Sequence, residues 1–401
     1  MTLGAGITIR SGTTGDQGAV DTLTAAAFGG RADAERTERR ARLWDAEEAI
    51  VAEAGGRVVG HVRSRDMEVT VPGERQVAAC GIAGVAVAPT HRRRGILRAM
   101  YEEQHERIEA AGLPLTIFTA SEATIYGRFG YGPAVRENSV RIDRRFAEFR
   151  PTAPDPGGVD LVDPGDAEER IRALYDRWRR LTPAAQERPD ASWGNLFADP
   201  PAERDGGSEL FTLLHPDGYA IYRYHHDESA MNVRVDEFRA VTGEAHAALW
   251  RALLGLDLVT EVRAAIGDND PLPYLLTDSR LVRTRSRHDS LWLRLMDVPA
   301  ALTARAYRRD LDLTLAVTDP FREAGGTFAL RVRDGHAECA PTGREPDVET
   351  GIDVLASLYF GAYPARVFAA ADRLRAKDIG FVHELEEAFG WDRDAELGWF
   401  F

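Results

Sequence analysis

The stretch that decides the fold runs Val85-Ala86-Val87-Ala88-Pro89-Thr90-His91-Arg92-Arg93-Arg94-Gly95-Ile96-Leu97. It begins in a short, apolar, β-branched segment from Cys80 to Val87, which predicts a buried strand. Three arginines and a glycine then open an amphipathic helix that Gly112 and Pro114 end. A helix N-terminus presents unpaired N–H groups and the positive end of the macrodipole, and Gly95 lets an anion approach the backbone closely. The stretch therefore suits a pyrophosphate.

The segments on either side of this helix predict a small mixed sheet. Upstream, two extended runs flank Gly55-Gly56, which is typical of a β-hairpin. Downstream, Leu115 to Thr119 is a second buried strand, and a short helix that carries Tyr126 follows it. The order strand, helix, strand predicts that residues 80–87 and 115–119 pair in parallel, with the helix as the crossover.

The rest of the chain predicts two further domains. Residues 151–165 are rich in Pro, Gly and Asp and predict a linker. Residues 166–290 repeat the strand and helix rhythm without the basic run, which indicates a degenerate duplicate with a structural role. From about residue 290, alternating apolar strands, a hairpin turn at Asp334-Gly335 and two amphipathic helices predict an α+β layer. One helix is expected around Leu355 and Leu358, the other around Val367 and Leu374.

Composition excludes several classes of protein. The 401 residues carry a formal charge of −14, which argues against nonspecific nucleic-acid binding. No apolar run reaches about 18 residues, so no membrane span is expected. Two cysteines are too few for a disulfide framework or a structural zinc site, and we expect no bound metal. The N-terminus lacks the features of a secretory signal, which favours a cytoplasmic protein.

Taken alone, a basic run that opens a helix is also compatible with a solvated helix start or with a patch for an acidic partner. Its context resembles the acetyl-CoA-binding core of the GNAT superfamily of N-acetyltransferases, whose pattern is Gln/Arg-x-x-Gly-x-Gly/Ala. Here Arg92 and Gly95 match that pattern, and Leu97 occupies its last position.

A narrower resemblance, to the Eis (enhanced intracellular survival) family of acetyltransferases, covers essentially the whole chain. The matching stretches are Ala86-Val87-Ala88-Pro89-Thr90-His91-Arg92-Arg93-Arg94-Gly95, Ile125-Tyr126-Gly127-Arg128-Phe129-Gly130-Tyr131-Gly132-Pro133, Leu214-His215-Pro216-Asp217-Gly218-Tyr219-Ala220, Leu249-Trp250-Arg251-Ala252-Leu253 and Asp297-Val298-Pro299-Ala300-Ala301-Leu302. The resemblance implies an α/β (α+β) chain with a GNAT domain at 1–150, a degenerate GNAT domain at 151–289 and a sterol-carrier-protein-like domain at 290–401. It also implies a homohexamer.

The resemblance and the chemistry of the residues together give a set of candidate site residues. Expected acetyl-CoA contacts are Val85, Ala86, Val87, Arg92, Arg93, Arg94, Gly95, Ile96, Leu97, Arg98, Ser121 and Glu122. Tyr126 is the candidate general acid, because a phenol of pKa about 10 matches a departing thiolate of similar basicity. The family's base is the C-terminal carboxylate, which here belongs to Phe401.

The family resemblance implies a broad pocket for bulky polyamines such as aminoglycosides, and acetylation of several amines on one molecule. Modification of aminoglycosides would in turn imply antibiotic resistance. Phe28 and Trp44 are candidate substrate contacts, and Glu122 and Phe401 are further candidates for the same role. Two alternatives stay open. The chain could be a protein acetyltransferase acting on lysines or N-termini, or a non-catalytic protein that binds a lipid or a partner.

Overall fold

The computed structural model describes residues 3–30, 46, 48–226, 230–322 and 325–401. Contacts divide the chain into two compact units. Unit 1 comprises Met1–Ala134, Leu291–Trp391 and Trp399–Phe401, and unit 2 comprises Val135–Ser290 and Asp392–Gly398. The predicted three-part division at residues 150 and 289 stays a prediction.

The N-terminal part of unit 1 is a sheet whose strands follow one another in chain order. Its strands are β1 Ile7–Ser11, β2 Ala49–Ala54, β3 Arg57–Val71, β4 Arg75–Val87 and β5 Leu115–Phe118. Its helices are α1 Gln17–Phe28, α2 Ile96–Ala110 and α3 Ala123–Tyr126. β4 and β5 pair in parallel, and β2 and β3 form the hairpin, so both predictions are confirmed.

The core of this part lies under α2. The helix buries one face, made of Ile96, Met100, Tyr101, Gln104, His105 and Ile108. Ala111, the first residue after the helix, is exposed. The buried face meets a cluster of aromatic rings in which Tyr101 stacks on Phe129 with ring centroids 4.8 Å apart.

Unit 2 repeats the strand, helix and parallel strand arrangement. Its strands are β6 Gly132–Asp143 from Val135 onward, β7 Asp160–Val162, β8 Phe211–His215, β9 Gly218–His226, β10 Met231–Ala240 and β11 Val259–Ile266, in the order β6-β11-β10-β9-β8-β7. Its helices are α4 Pro164–Leu181, α5 Asp190–Ala198, α6 Gly243–Leu254 and α7 Leu272–Leu275. β10 and β11 are parallel, with α6 between them in the chain.

The predicted linker at 151–165 is wrong at its C-terminal end, where the structure has β7 and the start of α4. The side chain of Asp163 accepts a hydrogen bond from the Gly165 N–H, 2.8 Å away, and Pro164 occupies the first helical turn. Asp and Pro mark loops, but they are also the residues that begin helices, and composition alone does not separate the two uses.

The C-terminal part of unit 1 is a second sheet with helices. β12 Val282–Leu295 ends by pairing with β5, and the sheet that follows is ordered β15-β14-β13-β16-β17. Those strands are β13 Leu311–Thr318, β14 Gly326–Arg333, β15 His336–Pro341, β16 Val348–Gly351 and β17 Leu374–Ala376. The helices are α8 Val298–Ala304, α9 Ile352–Leu358, α10 Ala365–Ala370 and α11 Ile379–Phe389.

The two helices predicted here need correction. α9 is buried on nearly all sides and is not amphipathic, because six of its residues, Ile352 and Val354–Leu358, are inside. Val367 lies in the short helix α10, but Leu374 belongs to β17. The two residues are seven apart, a helical spacing that a helix and a following strand satisfy equally well.

Along the described segments, no helix is long and apolar enough to cross a membrane.

Gly132 marks a close contact between the N-terminal and C-terminal parts of unit 1. A Cβ atom at Gly132 would lie 1.9 Å from the Asp353 carbonyl oxygen and 2.6 Å from Ser357 Oγ. Gly127, five residues earlier, has a right-handed helical backbone and nothing within 4 Å of such an atom. The same methyl group would therefore be excluded at one position and accommodated at the other.

We expect Gly132→Ala to lower the free energy of unfolding by about 2 kcal/mol, because an overpacked contact against backbone cannot relax easily. Gly127→Ala is the matched control, and its effect is expected within about 1 kcal/mol of zero or slightly stabilising. Urea unfolding of both variants measures the difference. Equal effects of the two substitutions would contradict the close packing at Gly132.

Candidate functional site

The site begins where β4 and β5 part. Their parallel pairing covers Ala79–Gly81 against Leu115–Ile117, and β4 then runs on to Val87 while β5 ends at Phe118. Beyond Gly81, β4 keeps β3 as a partner on one side only. The other edge therefore offers backbone N–H and C=O groups to an extended ligand, in the manner of a strand added to a sheet.

A β-bulge lies at the point where the strands part. The register between β3 and β4 shifts between His61 and Arg63, and Gly84 on β4 has a left-handed backbone with φ of +63°. Nδ1 of His61 donates to the Gly84 carbonyl at 2.8 Å, since a carbonyl can only accept. A bulge bends its strand and increases the local twist, which directs the end of β4 away from β5.

The segment after β4 leads to a helix start whose geometry suits an anion. A short 3₁₀ turn, Pro89–His91, leads to Gly95, whose φ of +79° places it as the N-cap of the helix. No side chain in the described part of the chain caps this end, so its N–H groups stay available. Arg92, Arg93 and Arg94 are all exposed, and none of them forms an ion pair with any described residue.

The corresponding helix of unit 2 differs at this point. The Thr242 side chain accepts a hydrogen bond from the Ala245 N–H at 3.2 Å and so caps α6. The capped end has fewer free N–H groups to offer an anion, and the sequence before it carries no run of arginines. The two copies thus share a topology but differ in the feature that suits a phosphate.

The remaining residues of the predicted cofactor set take varied positions. Val85, Ala86 and Val87 lie on the part of β4 that no longer pairs with β5, and Ile96 and Leu97 pack their side chains toward the core. The Arg98 guanidinium donates to Glu102 at 2.8 Å and lies 5.1 Å from the centre of the Phe321 ring. Ser121 and Glu122 are exposed just past the end of β5, where Glu122 is the N-cap of α3.

Tyr126 lies in the aromatic cluster at the end of β5. It is 7% exposed, with its ring centroid 4.4 Å from that of Phe118 and 6.3 Å from that of Trp292. Its hydroxyl makes no hydrogen bond to a side chain or backbone group of the described residues. Burial raises the pKa of this phenol above its ordinary value, and the negative charge of Glu122 adds to the shift. Tyr126 therefore stays protonated at neutral pH.

Phe401 lies at the same opening. Thr119 Oγ1, on the residue that follows β5, donates to a terminal oxygen of Phe401 at 3.2 Å. The Phe401 ring lies against Gly81, the last residue of β4 that pairs with β5, and 5.4 Å from the Trp399 ring. The Arg65 guanidinium sits 5.8 Å from the centre of the Trp399 ring. Tyr126 and Phe401 thus contact the consecutive residues Phe118 and Thr119.

The two candidate substrate contacts are less informative. Phe28 ends α1 and is 54% exposed, while Trp44 lies outside the described residues.

The sequence did not predict Thr119 as the hydrogen-bond partner of Phe401, or His61 as the hydrogen-bond partner of Gly84 in the bulge. Thr119 could have been found as the polar residue that closes a buried strand; His61 gave no local signal. Among the described residues, no group of three or more His, Cys, Asp or Glu side chains is arranged to hold a metal.

The fold and the opening between β4 and β5 define a GNAT-type acyltransferase. The acetyltransferase (GNAT) domain model matches residues 8–134, a second acetyltransferase (GNAT) domain model matches 184–297, and the sterol carrier protein domain model matches 298–397. The predicted order of two tandem GNAT folds and a sterol-carrier-protein-like domain is confirmed.

Similar proteins show which family of GNAT-type acyltransferases the chain belongs to. The N-acetyltransferase Eis of Mycobacterium tuberculosis (strain CDC 1551 / Oshkosh) is 48% identical over 345 residues, which is 84% of each chain. An uncharacterized N-acetyltransferase of Streptomyces avermitilis is 34% identical over 92% of this chain and 93% of its own. The crystal structure of Eis1 from Mycobacterium abscessus has a TM-score of 0.87 at 30% identity and covers 98% of this chain and 100% of its own. The chain belongs to the Eis family of N-acetyltransferases.

His61 makes the stability of the folded protein depend on pH in a measurable way. The residue is buried, and burial lowers its pKa from 6.5 to about 4, so the folded protein holds it neutral. The unfolded chain binds a proton at His61 below pH 6.5, and stability is therefore lost as the pH falls from 6.5 toward 4. Between pH 7 and pH 5 this loss amounts to about 2 kcal/mol.

We expect His61→Gln to reduce the drop in unfolding free energy between pH 7 and pH 5 by about 2 kcal/mol, because glutamine does not titrate. Urea titrations at the two pH values measure the drop. His226→Gln, at an exposed position on β9, is the control and should leave it unchanged. An unaltered drop in His61→Gln would contradict the neutral, buried state of His61.

Proposed function

We propose that the protein transfers acetyl groups from acetyl-CoA to amines of bulky polyamine substrates such as aminoglycosides, at more than one position. The observation that carries the proposal is the uncapped N-terminus of α2, with three exposed arginines, at the end of a strand whose outer edge pairs with no described strand beyond Gly81. An anion site at the end of an open strand edge fits a ligand with a diphosphate and an extended amide arm. Membership of the Eis family supports the same reaction.

The residues of the first GNAT domain fit acetyl-CoA. The N–H groups at Gly95, Ile96, Leu97 and Arg98 would hold the diphosphate, since they stand at the positive end of α2. Arg92, Arg93 and Arg94 add charge-assisted donors, and their exposure leaves them free to turn toward phosphate. The β4 backbone at Val85, Ala86 and Val87 would hydrogen-bond the amide arm, with Ser121 and Glu122 on the facing side. Because Thr242 caps α6, we assign no cofactor to unit 2.

Two groups at the opening suit the proton transfers. The acetyl group arrives as a thioester, whose carbon–sulfur bond breaks as the new carbon–nitrogen bond forms. Tyr126 is protonated at neutral pH and can donate its proton to the leaving sulfur. The carboxylate of Phe401, held by Thr119, can accept the proton that the amine loses, directly or through water.

The acceptor is proposed to be cationic. The chain carries a net charge of −14, which favours approach of a polyamine, and Glu122 contributes a carboxylate at the opening. Phe28 and Trp44 are proposed to contact the acceptor, because aromatic faces attract cations. A cytoplasmic location, which the small number of cysteines favours, and assembly as a homohexamer, which rests on the family resemblance, are part of the same proposal.

The proposal predicts release of CoA thiol from acetyl-CoA with several aminoglycosides, and products whose mass rises by more than one acetyl group. A thiol assay and mass spectrometry of the acceptors measure both. Lysine peptides, included in the same panel, distinguish the protein acetyltransferase alternative. Release with peptides alone would contradict the polyamine assignment, and failure to bind acetyl-CoA would contradict the enzyme.

The matched variants for this assay are Arg92→Ala and Arg75→Ala, which remove the same charge at two exposed positions. Arg75 begins β4, at the opposite end of the strand from Val87 and the segment that leads into α2. Arg92→Ala is expected to raise the KM for acetyl-CoA by about tenfold, because a charge-assisted hydrogen bond to phosphate is worth about 1.5–3 kcal/mol. Arg75→Ala should leave it unchanged.

A further inference from the structure

A fully buried ion pair lies next to the segment that carries Tyr126, and the acetyl-transfer chemistry does not use it. Arg294 on β12 and Asp319 after β13 have side chains exposed by 1% and 0%. Arg294 Nη2 donates to Asp319 Oδ2, and Arg294 Nη1 donates both to Asp319 Oδ1 at 3.3 Å and to the Phe129 carbonyl at 2.9 Å. One guanidinium thus joins the C-terminal domain to the backbone of the first GNAT domain.

The carbonyl that Arg294 holds belongs to the turn that ends the Tyr126 segment. α3 ends at Tyr126 and continues as a 3₁₀ turn, Gly127–Phe129, which Gly130 closes with φ of +80°. A Cβ atom at Gly130 would lie 1.8 Å from Arg294 Nη1, so the glycine makes room for the guanidinium. Arg294 therefore contacts this turn at two successive residues, three and four positions after Tyr126.

The other side of the pair is equally fixed. Asp319 Oδ1 accepts the backbone N–H groups of Phe321 at 3.2 Å and Arg322 at 3.3 Å, so the carboxylate cannot rotate without losing them. The Phe321 ring packs edge-on against the Phe129 ring, with centroids 4.9 Å apart. A buried ion pair with its hydrogen bonds made contributes little net stability, but it specifies one arrangement.

The path from Arg294 to the phenol runs through Phe129. The Phe129 ring stacks on Tyr101, whose ring centroid is 6.3 Å from that of Tyr126. Burial and Glu122, rather than Arg294, shift the pKa of Tyr126. Arg294 is therefore expected to act on Tyr126 through the backbone, by fixing the position of the Tyr126 side chain.

We propose that Arg294 is a positioning residue for acetyl transfer, which fixes the place of the Tyr126 hydroxyl by holding the Phe129 carbonyl against Asp319. The inference rests on the proposed role of Tyr126 as the acid. It assigns the C-terminal domain a part in catalysis, because Asp319, which orients the guanidinium, belongs to that domain. Catalysis is sensitive to displacements of about 1 Å, which the loss of one fixed hydrogen bond can produce.

The first test is Arg294→Lys, which keeps the charge and removes the fork of donors. We expect kcat to fall by about 10- to 100-fold, because the acid is misplaced. The KM for acetyl-CoA should change by less than about threefold, since the diphosphate site is untouched. The matched control is Arg305→Lys, because Arg305 is also fully buried and donates to the carbonyls of Tyr359 and Phe389, away from Tyr126. An equal fall of kcat in both variants would mean general destabilisation and would overturn the inference.

A double-mutant cycle with Tyr126→Phe completes the test. Tyr126→Phe alone is expected to lower kcat by about 100-fold or more, and adding Arg294→Lys should lower it little further, because the group being positioned is gone. Independent, multiplying effects would overturn the positioning role and leave the proposed function intact. Full activity of Tyr126→Phe would instead contradict the acid itself. If Arg294→Lys does not fold, Asp319→Asn replaces it in the same cycle, with the same expected pattern.

Discussion

The end of the pairing between β4 and β5 at Gly81 is the constraint on which the site depends. A bulge at Gly84, held by a hydrogen bond from the buried His61, bends β4 so that it cannot follow β5. Unpaired backbone groups inside a fold are unfavourable, so the open edge is stable only if something else satisfies it. Water can satisfy these groups in the free protein, and the amide arm of the proposed acetyl-CoA would replace it. Every other feature of the proposed site is arranged around this opening.

Two neighbouring features turn the opening into a site for chemistry. The start of α2 lies at the far end of β4 and supplies positive potential, while the end of β5 carries Thr119, Ser121 and Glu122. Tyr126 follows within one helical turn, inside an aromatic cluster that keeps its phenol protonated. The C-terminal part of unit 1 contributes Arg294, Asp319 and the chain end to the same region. Most of the sterol-carrier-type domain thus belongs to the same unit as the first GNAT domain.

The sequence predicted the local parts of this arrangement well. The β2–β3 hairpin, the parallel pairing across α2 and the placement of Gly95 follow from turn residues, hydrophobic periodicity and helix-start signals, all of which act over a few residues. It did not predict the start of α4 or the strand at Leu374, where one residue pattern is compatible with two local structures. The partnership of Arg294 with Phe129, 165 residues apart, left no local signal at all. Long-range contacts of this kind depend on how finished elements pack.

The family resemblance and the physical chemistry of the site make separate contributions to this account. Sequence similarity to the Eis proteins establishes an N-acetyltransferase of that family. The geometry of the two helix starts is the basis for proposing a cofactor site in the first GNAT copy and none in the second. The most direct test is a crystal structure of the protein with acetyl-CoA. The account predicts one cofactor per chain, with its diphosphate on the N–H groups at the start of α2 and its amide arm along the free edge of β4. A cofactor bound at α6 of unit 2, or one that leaves the β4 edge uncovered, would contradict it.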